Sequence, residues 1–369
     1  MRKGARFPAE GAWHTDGATG RRIRQVTAHP SINHPTYFLH SAFLADDREM
    51  FFTSYRTGPP QLFRTAYPEG EIVQMTDRAP VHPFSAALHP GGEEIVFTRG
   101  GELWGIRLKD LEERLIFRLP VGQLGECSMS RDGEWLTAAF QSEGQRGLVM
   151  GRVDGRGWNR MTFPRTVIHP QFHPLDPVWI EFAADPAPRM YRVRRDGTGL
   201  ECLYEHGNDE FVVHETFLGA TGDLVFTVWP KRLCRMDWTT RAITSIAEYN
   251  AWHIAPNRAG TAVLCDTNHP DAGLQIIDAA TGARSMVCRS ESSNQGSQWK
   301  KSRYALAEDF AAARSEAASG RVLSWMETAT DTVYGPQWTH PHPSWSRDES
   351  KVAFASDRTG NTQVYVAEL

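Results

Sequence analysis

Residues 337–343 read Gln-Trp-Thr-His-Pro-His-Pro, and two imidazoles separated by one residue are a chelating arrangement. Side chains two apart on an extended strand project to the same side, so His340 and His342 can point at one centre. Pro341 and Pro343 stiffen the backbone around them and lower the ordering cost of binding. His253 supplies a candidate third imidazole, and Gln337 an amide oxygen. Three neutral imidazoles and one amide, with room for water, suit a divalent first-row transition ion better than calcium, which takes an all-oxygen shell. The spacing also admits zinc. The competing reading is a stiff loop whose histidines bond to carbonyls.

Two further residues could carry chemistry. His214, in Val-Val-His-Glu-Thr-Phe, is a candidate general base, because imidazole exchanges protons near neutral pH. The plainer alternative is a channel histidine with its hydrogen bonds satisfied. Arg189, in Ala-Pro-Arg-Met-Tyr-Arg-Val, offers a bidentate clasp for a carboxylate. Its plainer alternative is an ion pair at a sheet edge. The chain contains no Gly-x-Ser-x-Gly, no phosphate loop and no dinucleotide fingerprint.

These residues need elements to position them, and the sequence shows a repeat. A short strand, a polar turn, a strongly β-prone run and a second hairpin recur at intervals of roughly 40 residues, the period of a propeller blade. Clear cases begin at Leu39, Phe84, Cys127, His169, His214, Trp252 and His342. Turn residues such as Gly92, Asp132, Gly133, Gly222 and Asp348 sit where hairpins need them. The final repeat has only three strands, ending near residues 364–366, whereas residues 16–27 resemble the last hairpin of a blade without its inner strands. Pairing residues 23–27 with the C-terminal blade closes the ring and removes an exposed edge. The predicted fold is therefore all-β: a single seven-bladed β-propeller of four-stranded antiparallel blades spanning residues 1–369. Residues 290–336 are rich in Ala, Glu and Arg. Leu306, Phe310 and Ala313 fall there at helical spacing, which predicts a helical insertion between blades six and seven.

The histidines gather at one place in the repeat, the entry to the innermost strand. His40, His214 and His342 are nearly equivalent in position, with His34, His82, His169, His253 and His340 a few residues away. Innermost strands line the propeller channel, so equivalent positions on different blades converge on one mouth.

Composition narrows the classes of function. A net charge of -4 argues against a general nucleic-acid binder but leaves room for a local basic site that takes a small anion. The five cysteines are scattered and form no Cys-x-x-Cys pair, as expected of reduced thiols in the cytoplasm. The N-terminus is basic with no apolar run after it, and no stretch approaches the ~20 apolar residues of a membrane span, so neither secretion nor a membrane partner is expected.

Several segments resemble the oligogalacturonate lyases, seven-bladed propellers of bacterial pectin breakdown. Asp-Gly-Ala-Thr-Gly-Arg-Arg-Ile-Arg-Gln-Val-Thr from Asp16 and His-Pro-Thr-Tyr-Phe-Leu-His-Ser-Ala-Phe from His34 resemble the family's opening. Pro-Arg-Met-Tyr-Arg-Val-Arg-Arg-Asp-Gly-Thr-Gly from Pro188 resembles its fourth blade, and Val-Val-His-Glu-Thr-Phe its fifth. Gln337-Trp-Thr-His-Pro-His-Pro resembles its Gln-x-x-His-Pro-His-Pro signature, the most specific of these. The resemblance implies a manganese ion held by His253, Gln337, His340 and His342, with His214 as base and Arg189 as the essential arginine. It also implies a small anionic oligosaccharide as substrate, cleaved by β-elimination. One departure stands out. The family carries His-Glu-Gly-Pro-His before that arginine, and here the run from Glu181 is Glu-Phe-Ala-Ala-Asp-Pro-Ala-Pro, which puts the exact substrate in doubt. Two other classes remain: a non-catalytic scaffold resembling TolB, and a propeller glycoside hydrolase, which would need two facing carboxylates such as Glu215 and Asp266.

Overall fold

Alternating side chains decide how each sheet packs. In Glu49–Ser54 the sequence Glu-Met-Phe-Phe-Thr-Ser sends Met50 and Phe52 to one face and Phe51 to the other. The period of two thus loads both faces of one strand with apolar bulk, and such a strand is stable only between two other sheets. Every blade repeats this solution. In the computed structural model, which describes residues 2–207, 209–268, 270–294 and 336–369, the strands form seven antiparallel sheets. Seven buried apolar clusters lie between successive sheets, and one of them joins the last blade to the first. The chain is a seven-bladed β-propeller.

The ring closes as the terminal sequence predicts. Arg22–Gln25 pairs antiparallel with Gln363–Glu368, placing Ile23 opposite Ala367 and Gln25 opposite Tyr365. Two blades are wider than the predicted four strands. Trp13–Thr15 adds a fifth strand outside Arg22–Gln25, and Arg6–Phe7 adds a fifth to the first blade by pairing with Ile72–Gln74. Both additions come from the N-terminal segment, which covers the outer edges of adjacent blades and leaves less backbone unpaired. The predicted helical insertion falls almost wholly outside the described residues. The five cysteines are unpaired. Among the described residues no helix is long and apolar enough to cross a membrane.

The first blade departs from the pattern in a way that shapes the channel. Its inner strand is reduced to Asn33–His34 and an isolated bridge between Phe43 and Met50. Between them residues 36–41 turn across the channel. The Tyr37 hydroxyl reaches Nε2 of His169 in blade four at 2.9 Å. Nε2 of His40 lies 3.1 Å from the carbonyl of Cys127 in blade three. The Ser41 hydroxyl donates to the carbonyl of Trp345 in blade seven at 2.7 Å. Phe38, 3% exposed, packs edge-on against the rings of His169 and His214. This aromatic turn divides the channel into two separate ends.

Candidate metal centre and active site

The inner strands do not run regularly past the site. Register shifts interrupt them between Leu124 and Cys127, between Ile168 and Gln171, and between Val213 and Thr216. Each bulge adds residues to the inner strand and re-aims side chains into the channel. His169 and His214 sit in two of them with φ of 54° and 57°, and His342 has φ of 44°. Left-handed backbone is costly for a non-glycine residue, and its recurrence at three channel histidines marks a place where orientation outweighs that cost.

Blades six and seven bring three imidazoles together. His253, His340 and His342 are each at most 1% exposed, and each presents a ring nitrogen such that all three lie within 4.8 Å of one another. Two metal–nitrogen bonds of about 2.1 Å span up to about 4.2 Å, so small side-chain movements suffice to close this group on a cation. Gln337 opens a short 3-10 turn over Gln337–Thr339, and its carbonyl accepts the N–H of His340 at 3.0 Å. The amide-bearing residue is thereby fixed one turn before the two ligand candidates.

The donor set fits a divalent cation on the evidence of its surroundings. Nδ1 of His253 donates to Oδ2 of Asp266 at 2.7 Å, which leaves Nε2 as the atom available to ligate. Such a carboxylate behind a ligating imidazole fixes its tautomer and raises its basicity. Asp266 also accepts the backbone N–H groups of His253 at 2.8 Å and His342 at 3.3 Å, tying the two blades together. Among the described residues, Nε2 of His342 is buried without a hydrogen-bond partner. Burial, reinforced by the neighbouring imidazoles, holds His253 and His342 well below the ordinary histidine range, so both are neutral and free to ligate at pH 7. Burial also pushes Asp266 up to about 7, against the hydrogen bonds it accepts. A cation held on the far side of the His253 ring would favour its ionised form. Asp266→Asn should therefore weaken metal affinity by about 10- to 100-fold with the fold unchanged, as titration of bound metal would measure. Unchanged affinity would make Asp266 a purely structural tie.

His214 stands beside this group. Its ring centroid is 4.4 Å from that of His253, and its walls are the edge-on rings of Trp252 and Phe38. Burial in that aromatic setting, reinforced by the neighbouring His253 and His169 and by the Arg189 charge, pushes its proton affinity well below the usual value. Its Nδ1 is buried without a hydrogen-bond partner among the described residues. The arrangement is a neutral imidazole with an uncommitted nitrogen next to three converging imidazoles that could hold a cation.

Arg189 is held in a carboxylate cage. Its Nε donates to Oε1 of Glu215 at 2.6 Å, its Nη1 to Oδ1 of Asp185 at 2.5 Å, and its backbone N–H to Nε2 of His206 at 2.9 Å. Asp185 and the buried Glu181 belong to the run that departs from the family's pattern. Burial works to raise Glu215, but the Arg189 charge overrules it and holds the carboxyl at about 2. Burial and the Glu215 charge push Glu181 well above the carboxylate range, so Glu181 carries its proton. His169 lies between the acids Glu126, whose Oε2 accepts its backbone N–H at 2.8 Å, and Glu215, whose Oε2 is 4.0 Å from its Nδ1. Sequence reasoning assigned no role to Tyr37, Glu126, Glu181 or Asp185, and it treated Asp266 only as a hydrolase candidate. The one local signal for Asp266 is its place at the end of the strand that pairs with the one following His253.

His40 and His82, at or near the equivalent repeat position, do not join the three converging imidazoles. His40 faces the opposite end of the channel. His82 accepts the N–H of Phe84 at 3.3 Å, and burial pushes it down to about 4. The unfolded chain takes a proton at this position below about pH 6.5, and the folded one refuses it until about pH 4. Each pH unit lost in that window therefore costs about 1.4 kcal/mol through His82. His82→Gln should lose stability less steeply between pH 6.5 and 4 in urea unfolding. Equal slopes would show that His82 protonates without unfolding.

No protein-family model matches the chain. An oligogalacturonide lyase of Pectobacterium atrosepticum is 21% identical over 408 aligned residues, covering 100% of this chain and 98% of that protein. An oligogalacturonate lyase of Dickeya dadantii is 20% identical with the same coverage. Among solved structures, an oligogalacturonate lyase in complex with manganese superposes with a TM-score of 0.82 at 19% identity, over 100% of this chain and 98% of that one. The likeness read from the sequence thus runs the full length of the chain, and the structural match shows a common seven-bladed fold.

Proposed function

We propose that this protein is a metal-dependent lyase that cleaves short oligouronides of the oligogalacturonate type by β-elimination. The observation that carries the reading is the convergence of His253, His340 and His342 beside a neutral, buried His214. The full-length similarity to lyases of that name supports it, and the solved lyase that carries manganese favours that ion.

His253, His340, His342 and Gln337 would hold the cation, which supplies Lewis-acid stabilisation for the carboxylate charge that grows as the proton departs. His214 takes the proton from the ring carbon next to that carboxylate. The C–H electron pair becomes the new ring double bond, the glycosidic C–O bond breaks, and the expelled oxygen takes a proton from water. His214 then returns its proton to solvent. Its aromatic walls keep it unprotonated before substrate arrives, and the anionic substrate raises its proton affinity once bound. Arg189, close enough to depress His214, places fixed positive charge where a uronate carboxylate is to be held. Glu215 and Asp185 keep its guanidinium from swinging away. The unpaired thiols fit a cytoplasmic enzyme that handles small fragments of pectin.

The hydrolase alternative is disfavoured by particular contacts, because Glu215 is bound to Arg189 and Asp266 to His253. Incubation with digalacturonate and manganese tests the reading. A lyase yields products whose masses sum to that of the substrate, one of them ultraviolet-absorbing. Products heavier by one water would sink it.

A further inference from the structure

The channel has a second functional end. Five residues beyond His253 and His342 stand Arg258 and Arg347, on the turns that leave the same two inner strands. At about 3.3 Å per residue this is the opposite mouth, on the far side of the aromatic turn. A cavity of about 310 Å³ opens there, and Phe38, His40, Ser344, Trp345, Arg258 and Arg347 are among its lining residues.

Its polar groups lack the partners that a structural role would provide. Among the described residues, neither Arg258 nor Arg347 forms an ion pair through its guanidinium. The nearby acids are engaged with backbone. Asp47 accepts the N–H groups of Arg347 and Asp348, both at 2.8 Å. Glu349 accepts the N–H of Arg258 at 2.9 Å and the Asn257 amide at 3.1 Å. Among the described residues, Nε of the half-buried Arg347 and the hydroxyl of Ser344, a residue only 2% exposed, are buried without hydrogen-bond partners. Burial depresses Arg347, the neighbouring Arg258 charge adds to that, and the Asp47 charge offsets them only in part. Two like charges and two orphaned donors at one concavity are unfavourable unless an anion completes them.

We propose that this cavity binds a small oxyanion, a carboxylate or phosphate group, between Arg258 and Arg347, with Ser344 as an additional donor. Planar guanidinium forks match both oxyanions. The volume admits a phosphate or one sugar-acid ring, not a polymer. The walls are already set: the Trp345 indole donates to the carbonyl of Ala255 at 2.8 Å, and Ser41 holds the Trp345 carbonyl. Phe38 lines this cavity while its ring packs against His214, so the occupied cavity adjoins the floor of the metal centre.

Calorimetric titration of the manganese-loaded protein with inorganic phosphate and, separately, with monomeric galacturonate tests the proposal independently of turnover. Saturable binding of at least one is expected, and the tighter of the two identifies the ligand as phosphoryl or sugar acid. Arg347→Gln and Arg258→Gln should each weaken it by about tenfold to a hundredfold. Arg258 is exposed, so its variant keeps the test valid if Arg347→Gln folds poorly. His340→Ala should leave this binding intact, which separates it from failure of the metal centre. Absence of saturable binding by either anion overturns the proposal, as does binding abolished by His340→Ala and untouched by both arginine variants.

Discussion

Replacing His214 with alanine is expected to lower turnover of digalacturonate by roughly a thousandfold, within the span of about 10²–10⁴ typical of a lost general base, while bound manganese stays at the wild-type level. The reasoning is geometric. The His214 ring adjoins that of His253, yet it is not one of the three imidazoles that meet, and Asp266 fixes His253 without its help. Its loss therefore removes a proton acceptor and leaves the cation site whole. Initial rates from the ultraviolet absorbance of the unsaturated product, read beside metal analysis of the same preparation, make the measurement. A variant with near wild-type rate would place the base elsewhere. A variant that also loses its metal would make His214 part of the cluster.

His340→Ala should remove metal and activity together, and it should do so more severely than Asp266→Asn. Deleting one of three converging imidazoles leaves a chelate that bidentate His253–His342 contact cannot maintain, whereas Asp266 only orients a ligand that stays in place. Linkage supplies a readout independent of turnover. A ligand that binds the folded state alone adds RT ln(1 + [L]/Kd), about 2.7 kcal/mol at a hundredfold excess over Kd. Manganese should raise the melting temperature of the wild type and leave that of His340→Ala unmoved. A melting shift preserved in the variant would mean that the cation binds elsewhere.

What the sequence by itself determined is what local rules can encode. Turn residues at fixed offsets and the alternation of apolar residues repeat every blade, so seven blades and the pairing of residues 23–27 with the C-terminal blade were legible. His340 and His342 were legible as a pair because one intervening residue suffices to place them. Blade equivalence also pointed His253 toward them. Tertiary structure decided the rest. Whether an inner-strand residue faces the channel depends on bulges at His169 and His214, and a bulge shifts the alternation that sequence patterning relies on. Glu215 reaching Arg189 from the next blade, and Tyr37 reaching His169 across 132 residues, are meetings between different blades. Nothing in either partner's neighbourhood specifies them. The same holds for Arg189, whose side-chain type was readable but whose commitment to Glu215 and Asp185 was not. Chain-local periodicity builds the ring, but only the closed ring fixes which side chains share its axis.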